Sequence, residues 1–137
     1  MTPTITAFER SPDRGRGLAR DMRVRWALEE VGLPYEVSLI HPSDRHADAH
    51  RRKNPFGQIP SIEADGYSLF ESGAILHYIA EESAVLMPTD RHGRADTFTW
   101  MFAALNTVEP PIDNLSVMDL QHGEERMGDI ASPRSCG

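Results

Sequence analysis

The chain has 137 residues, of which 39% are apolar and 26% charged, a composition typical of folded globular proteins and not of disordered or membrane-embedded ones. Its 21 acidic and 14 basic residues give a net charge of −7, which argues against nucleic-acid binding. No apolar run reaches the length of a membrane span, no secretion signal opens the sequence, and Cys136 is the single cysteine, so we expect a cytoplasmic protein.

The first third of the sequence predicts a strand, a helix and a second strand. Residues 4–8 are β-prone and partly alternating, and a loop rich in proline, glycine and arginine follows. A helix is predicted over residues 18–31, where apolar residues recur at steps of three and four. The predicted apolar face comprises Leu18, Met22, Val24, Trp26, Ala27, Leu28 and Val31. Gly32 and Pro34 end this helix, and residues 35–40 alternate as a strand does.

The middle of the sequence predicts a hairpin and a helix. A polar segment after the second strand predicts a loop with a short helix. Two short strands follow at residues 59–63 and 68–70, and the Asp65-Gly66 step between them is a hairpin signal. A helix is predicted over residues 72–82. Its inward-facing residues are Ile75, Leu76 and Ile79.

This order of elements, β-α-β and then β-β-α, predicts an α/β domain of thioredoxin-like topology, which we place at residues 1–83. Residues 84–137 predict a linker and an incomplete all-α domain, in which one amphipathic helix ends at Pro110-Pro111 and residues 112–120 can form another. Such a short segment cannot enclose a helical core of its own. Either it packs on the first domain and a partner chain, or the chain is a truncated form.

The Ile59-Pro60 step stands at the start of a predicted strand, where proline cannot donate to the sheet. A cis bond here would turn the amide and carbonyl of Ile59 outward, as a template for an extended peptide. A trans proline in an ordinary loop is the alternative. Gln58, just before this step, can donate to a carbonyl or a terminal carboxylate.

The Glu71-Ser72 pair directly precedes the helix predicted at residues 72–82. Ser72 can cap that helix. Alternatively, the Ser72 hydroxyl and the amides of the helix N-terminus bind a carboxylate, while Glu71 pairs with an ammonium group. A carboxylate and an ammonium together describe an α-amino acid. Combined with the Ile59-Pro60 step, the pair predicts a site for a peptide with an amino-acid head.

The run NPFGQIPSIEADGYSLFESGAILHYIAE resembles the glutathione-binding half of the cytosolic glutathione transferase family, and RVRWALEEVGLPYE resembles the first helix and second strand of that family. The resemblance covers most of the chain. It implies that Ile59 binds the cysteinyl backbone of glutathione, that Pro60 is cis, and that Glu71 and Ser72 hold the γ-glutamyl head. It also implies that Gln58 lies near the glycine end.

The same resemblance implies a glutathione transferase that activates the thiol of glutathione and passes it to a small electrophile. Glutathione would be a co-substrate, with no further cofactor and no metal, and the chain would form a homodimer. Further candidates for the glycine carboxylate are Arg45, His46 and Lys53. Two alternatives stay open: a non-catalytic member of the fold that binds other proteins, and an inactive truncated chain.

The sequence departs from this family at the thiol-activating position. Family members use Tyr, Ser or Cys after the first strand or in the first turn of the first helix, and the usual serine would fall at residues 17–18, which carry no hydroxyl. Ser11 has the only hydroxyl in this loop and is our catalytic candidate. The backbone amides of residues 15–18, or the side chains of Arg14 and Arg16, are alternatives.

Three histidines, His41, His46 and His50, lie in the polar segment that follows the second predicted strand. A metal site would need carboxylate or cysteine ligands in a fixed geometry. We therefore interpret the three histidines as polar residues that face solvent, and we predict no metal site.

Overall fold

The computed structural model describes residues 2–11 and 19–118. The elements in chain order are β1 (Thr4–Phe8), α1 (Asp21–Glu30), β2 (Glu36–Ile40), a 3₁₀ helix (Pro42–His46), α2 (Asp48–Arg51), β3 (Ser61–Ala64), β4 (Tyr67–Phe70), α3 (Ser72–Glu81) and α4 (Arg91–Ala103). A π-helical turn, Ala104–Val108, continues α4 into helical residues 109–118. Within the described part of the chain, no helix is both long and apolar enough to cross a membrane.

The sheet has four strands in the order β2-β1-β3-β4. β1 runs parallel to β2 and antiparallel to β3, and β3 runs antiparallel to β4. A parallel pair needs a crossover connection, and α1 supplies it. The predicted thioredoxin-like α/β topology is therefore confirmed.

The β3–β4 hairpin closes through a two-residue turn at Asp65 and Gly66, whose φ angles are 50° and 78°. Positive φ at both central residues is the type I′ geometry that matches the twist of the flanking strands, and it is why Asp-Gly is favoured there. The hairpin prediction is confirmed, but β3 begins at Ser61 instead of residue 59. The Ile59-Pro60 step therefore precedes the strand.

The core of the first domain lies between the sheet and helices α1 and α3. Its buried members are Ile5, Val24, Ala27, Leu28, Ile62, Ile75 and Ile79. Burial of each of the isoleucine, valine and leucine side chains contributes about 1.5–3 kcal/mol. The predicted apolar face of α1 was partly wrong, because Met22 and Trp26 are 47% and 69% exposed. The Trp26 indole N–H instead donates to Glu30 at 2.6 Å along the surface of the helix.

The chain divides into two compact units between Thr97 and Phe98. The domain boundary predicted between residues 83 and 84 stays a prediction. In the second unit, the prediction that Pro110-Pro111 ends a helix was wrong, because residues 109–118 are helical. The Glu109 amide donates to the Ala104 carbonyl across a wide π-helical turn just before the prolines. Such a turn is a common way for a helix to accommodate residues that cannot donate to its ladder.

Candidate functional site

The open end of the β3–β4 hairpin brings the two sequence motifs together. Ser61 pairs with Phe70 in the antiparallel register. Ile59-Pro60 directly precedes Ser61, and Glu71-Ser72 directly follows Phe70, so the two motifs flank the last pair of the ladder. Directly opposed residues of an antiparallel pair lie about 4.5–5.5 Å apart. The Asp-Gly turn fixes the register of the hairpin. This register determines which residues pair at its open end.

On one side of this end, the Ile59–Pro60 peptide bond is cis and Pro60 is buried. The next residue, Ser61, is fully buried, and its hydroxyl donates to the Thr6 hydroxyl at 3.0 Å, which anchors the start of β3 to β1. In the described part of the chain, the backbone amide and carbonyl of Ile59 have no backbone partner. Unpaired backbone groups beside a strand can accept an extended peptide.

On the other side, Glu71 adopts φ 70° and ψ 117°, although it is not glycine. A non-glycine residue in such a region costs on the order of 1–3 kcal/mol, and these conformations concentrate at functional sites. Glu71 is exposed, and its carbonyl accepts the Ile75 amide at 2.9 Å in the first turn of α3. The backbone conformation of Glu71 therefore directs the chain into α3, and its exposed side chain makes no capping hydrogen bond to that helix.

Ser72 is the first residue of α3 and is only 6% exposed. The side chain of the N-cap residue, Glu71, makes no hydrogen bond to the first turn of α3. The amides of that turn therefore lack a partner within their own helix, and the dipole of α3 adds positive charge there. A ligand carboxylate next to Ser72 would meet these amides and the hydroxyl together.

Two buried polar residues behind Ile59 were not predicted from the sequence. His50 and Asn54 are 5% and 2% exposed, so the interpretation of His50 as solvent-facing was wrong. The ring Nε2–H of His50 and the side-chain amide of Asn54 donate to the Gln58 carbonyl at 2.9 and 3.0 Å. The Asn54 side-chain oxygen also accepts the Phe56 amide at 3.0 Å. His50 lies in the short helix α2 and Asn54 follows four residues later, a spacing that could have indicated a shared face.

Gly57 holds the same loop against the 3₁₀ helix. Its φ is +66°, and a Cβ at this position would lie 2.7 Å from the Arg45 carbonyl oxygen. A side chain is therefore excluded both by conformation and by space. The exposed Gln58 side chain follows directly, next to the site formed by Ile59 and Ser72.

The basic side chains predicted to bind the glycine carboxylate of glutathione differ in the partners they contact. The Lys53 ammonium lies 2.6 Å from the Glu63 carboxylate and is thus already paired. Arg45 and Arg51 both direct guanidinium groups at the exposed His46 ring, at 2.9 and 3.3 Å. Two guanidinium groups on one imidazole form a local positive patch. Arg45 and His46 therefore suit an anion better than Lys53 does.

Ser11 follows β1, is partly exposed and engages in interactions within the chain. The alternative thiol-activating groups lie outside the described residues: the backbone amides of residues 15–18, which include Gly17 and Leu18, and the side chains of Arg14 and Arg16. Cys136 also lies outside them. The choice of Ser11 as the catalytic group therefore stays a prediction. Among the residues that the structure describes, no group of three or more His, Cys, Asp or Glu could hold a metal ion.

Residues 14–81 match the family model described as the glutathione S-transferase N-terminal domain. A curated relative, probable maleylacetoacetate isomerase 2 from Drosophila melanogaster, is 34% identical over 110 residues, which span 76% of this chain and 48% of the relative.

Solved structures give the same result. Poplar glutathione transferase F1 matches with a TM-score of 0.71 and 27% identity, over 84% of this chain and 54% of the other. The theta class glutathione S-transferase from Xanthomonas axonopodis pv. citri, solved with glutathione bound, matches with a TM-score of 0.63 and 28% identity, over 77% of this chain and 49% of the other. The chain thus spans about half the length of these relatives. The matching family model describes an amino-terminal domain, and the chain belongs to the glutathione S-transferase family.

Proposed function

We propose that the domain at residues 1–83 binds glutathione at the open end of the β3–β4 hairpin. The Ile59 amide and carbonyl hold the cysteinyl backbone, beside Pro60. The Ser72 hydroxyl and the first amides of α3 hold the γ-glutamyl carboxylate, and Glu71 pairs with the ammonium group. Gln58 lies at the glycine end.

The observation that supports this proposal most is the register of the hairpin, in which Ser61 pairs with Phe70, so that Ile59-Pro60 and Glu71-Ser72 flank the same end. In glutathione the cysteinyl residue and the γ-glutamyl head are adjacent. The two halves of the site therefore match neighbouring parts of one tripeptide. The bound glutathione in the Xanthomonas relative adds support from a protein of the same fold.

The reaction that we propose is transfer of glutathione to a small electrophile. The thiol loses its proton, the thiolate sulfur forms a bond to carbon, and the leaving group departs with its electron pair. Only the thiolate is a strong nucleophile, so a hydrogen bond that stabilises it lowers the thiol pKa and speeds the reaction. Ser11 is the proposed donor of that hydrogen bond. No other cofactor is proposed.

A second candidate is glutathione-dependent isomerisation, because the Drosophila relative is named as a probable maleylacetoacetate isomerase. In such a reaction the thiolate adds to a cis double bond, the bond rotates, and the thiolate leaves again. Glutathione is regenerated, whereas a transferase consumes it. The fate of the thiol therefore separates the two candidates.

We further propose that the protein acts in the cytoplasm as a homodimer. To test activity, the full chain is incubated with glutathione and either a generic aromatic halide or a cis-enedioyl compound. The concentration of free thiol is then measured over time. Transfer predicts thioether formation with loss of thiol, and isomerisation predicts trans product with constant thiol. Ser11→Ala should slow either reaction at least about tenfold, the effect of about 1.4 kcal/mol at the transition state. No turnover with either compound would leave glutathione binding as the sole function.

A further inference from the structure

The backbone groups of Ile59 are useful to a ligand only if they face it, and the side chains behind the loop determine this. Gln58 and Ile59 share one peptide unit, which is planar and trans. Its C=O and N–H therefore point in opposite directions, about 180° apart. Whatever fixes the Gln58 carbonyl also fixes the direction of the Ile59 amide.

Two buried donors fix that carbonyl. His50 and Asn54 are on the same side of the loop, because the Asn54 amide donates to the His50 carbonyl at 2.9 Å in a helical turn. Their side chains converge on the Gln58 oxygen at 2.9 and 3.0 Å. A carbonyl oxygen only accepts, so the proton on the His50 ring lies on Nε2. The Ile59 amide consequently points away from His50 and Asn54.

We propose that His50 is a positioning residue, which holds the Gln58–Ile59 peptide so that the Ile59 amide faces the cysteinyl unit of glutathione. This inference rests on the proposed function for the ligand, but the orientation of the peptide stands on the contacts of this chain alone. His50 touches no ligand atom in this account. It acts through the Gln58 carbonyl.

His50 is a cleaner test than Asn54, because the Asn54 side chain also accepts the Phe56 amide and its removal would release a second part of the loop. His50→Phe keeps an aromatic ring in the buried space and removes the donor. His50→Gln keeps an N–H donor on a side chain of similar reach. His92→Phe, at an exposed histidine near the start of α4, is the matched control.

The experiment measures three quantities for each variant of the full chain: the Kd for glutathione, the thermal unfolding midpoint, and the chemical shift and exchange rate of the Ile59 amide by NMR. His50→Phe should raise Kd about five- to tenfold, as expected for one lost hydrogen bond, and should change the Ile59 shift and hasten its exchange. His50→Gln should restore Kd and exchange to within about threefold of the wild-type values, since a donor is retained. His92→Phe should leave the Kd, the unfolding midpoint and the Ile59 amide unchanged.

Two results would overturn the inference. One is an unchanged Ile59 amide in His50→Phe. The other is a His50→Gln variant that unfolds at the same temperature as the wild type yet binds as weakly as His50→Phe, since that would assign the role to the ring and not to its donor. If the wild type binds no glutathione, the proposed function fails, and the Ile59 amide in the free variants still decides whether His50 sets the peptide.

Discussion

The two sides of the proposed glutathione site are held by different physical means. On the Ile59 side, buried side-chain donors fix a peptide of ordinary geometry. On the Glu71 side, the backbone itself adopts a conformation that non-glycine residues rarely take. The first arrangement depends on hydrogen bonds that can be deleted one at a time. The second carries a conformational cost that the packing of α3 and the hairpin must offset.

We expect the free energy of unfolding to be more sensitive to substitution in the loop behind Ile59 than on the Glu71 side. Gly57→Ala places a Cβ 2.7 Å from the Arg45 carbonyl at φ +66°. We expect a loss of about 2–4 kcal/mol in the free energy of unfolding, from the left-handed conformation and the clash together. Gly66→Ala is the matched control, because its φ is +78° with nothing within 4 Å. Urea denaturation of both variants measures the difference, and equal losses would contradict the close packing at Gly57.

The next effect concerns affinity on the Glu71 side. Ser72→Ala removes one charge-assisted hydrogen bond and should weaken glutathione binding by about 1–2 kcal/mol. Ser116→Ala, in the second unit, should leave binding unchanged. Calorimetric titration of both variants checks this. If Ser72→Ala binds glutathione with wild-type affinity, the Ser72 hydroxyl does not contact the ligand and the residue only begins α3.

The conformation of Glu71 predicts a trade between stability and binding. Glu71→Gly relieves the positive φ and should raise the free energy of unfolding by about 1 kcal/mol, while it removes the carboxylate that pairs with the ligand ammonium. Glu71→Ala should weaken binding comparably without the gain in stability. Denaturation and glutathione titration of the two variants separate backbone from side chain. A Glu71→Gly variant that is less stable than the wild type would contradict strain at this residue.

The smallest effect is expected at Lys53, which is paired with Glu63 at 2.6 Å in a half-exposed setting. Such pairs contribute about 0–1 kcal/mol, so Lys53→Ala should change the free energy of unfolding by less than about 1 kcal/mol and the glutathione Kd by less than about twofold. A large rise in Kd would place Lys53 in the site after all.

Much of the fold was predictable because it depends on local chemistry. The Asp65-Gly66 turn fixes a hairpin register from its own φ angles, and apolar residues at helical spacing identify α3. Long-range packing was not predictable in the same way. Trp26 fits the spacing of an apolar helix face, yet it is exposed, because Val24, Ala27 and Leu28 are the residues of α1 that pack into the core.

The binding half of the candidate site was predictable from its two motifs, whereas its support was not. His50 belongs to a polar, histidine-containing segment, and its four-residue spacing from Asn54 indicates a shared face but not that this face is buried. Its burial results from the turn that carries the chain from α2 to Asn54 and back over the Gln58 carbonyl. The two partners are eight residues apart along the chain, at a spacing that no helical or strand periodicity indicates.

The most direct test of the central claim is a glutathione titration of the wild-type chain followed by amide NMR. If a single tripeptide fills both sides of the hairpin end, the amides of Ile59 and Ser72 will shift together, with one midpoint. No shift at either residue at millimolar glutathione, or two different midpoints, would contradict it.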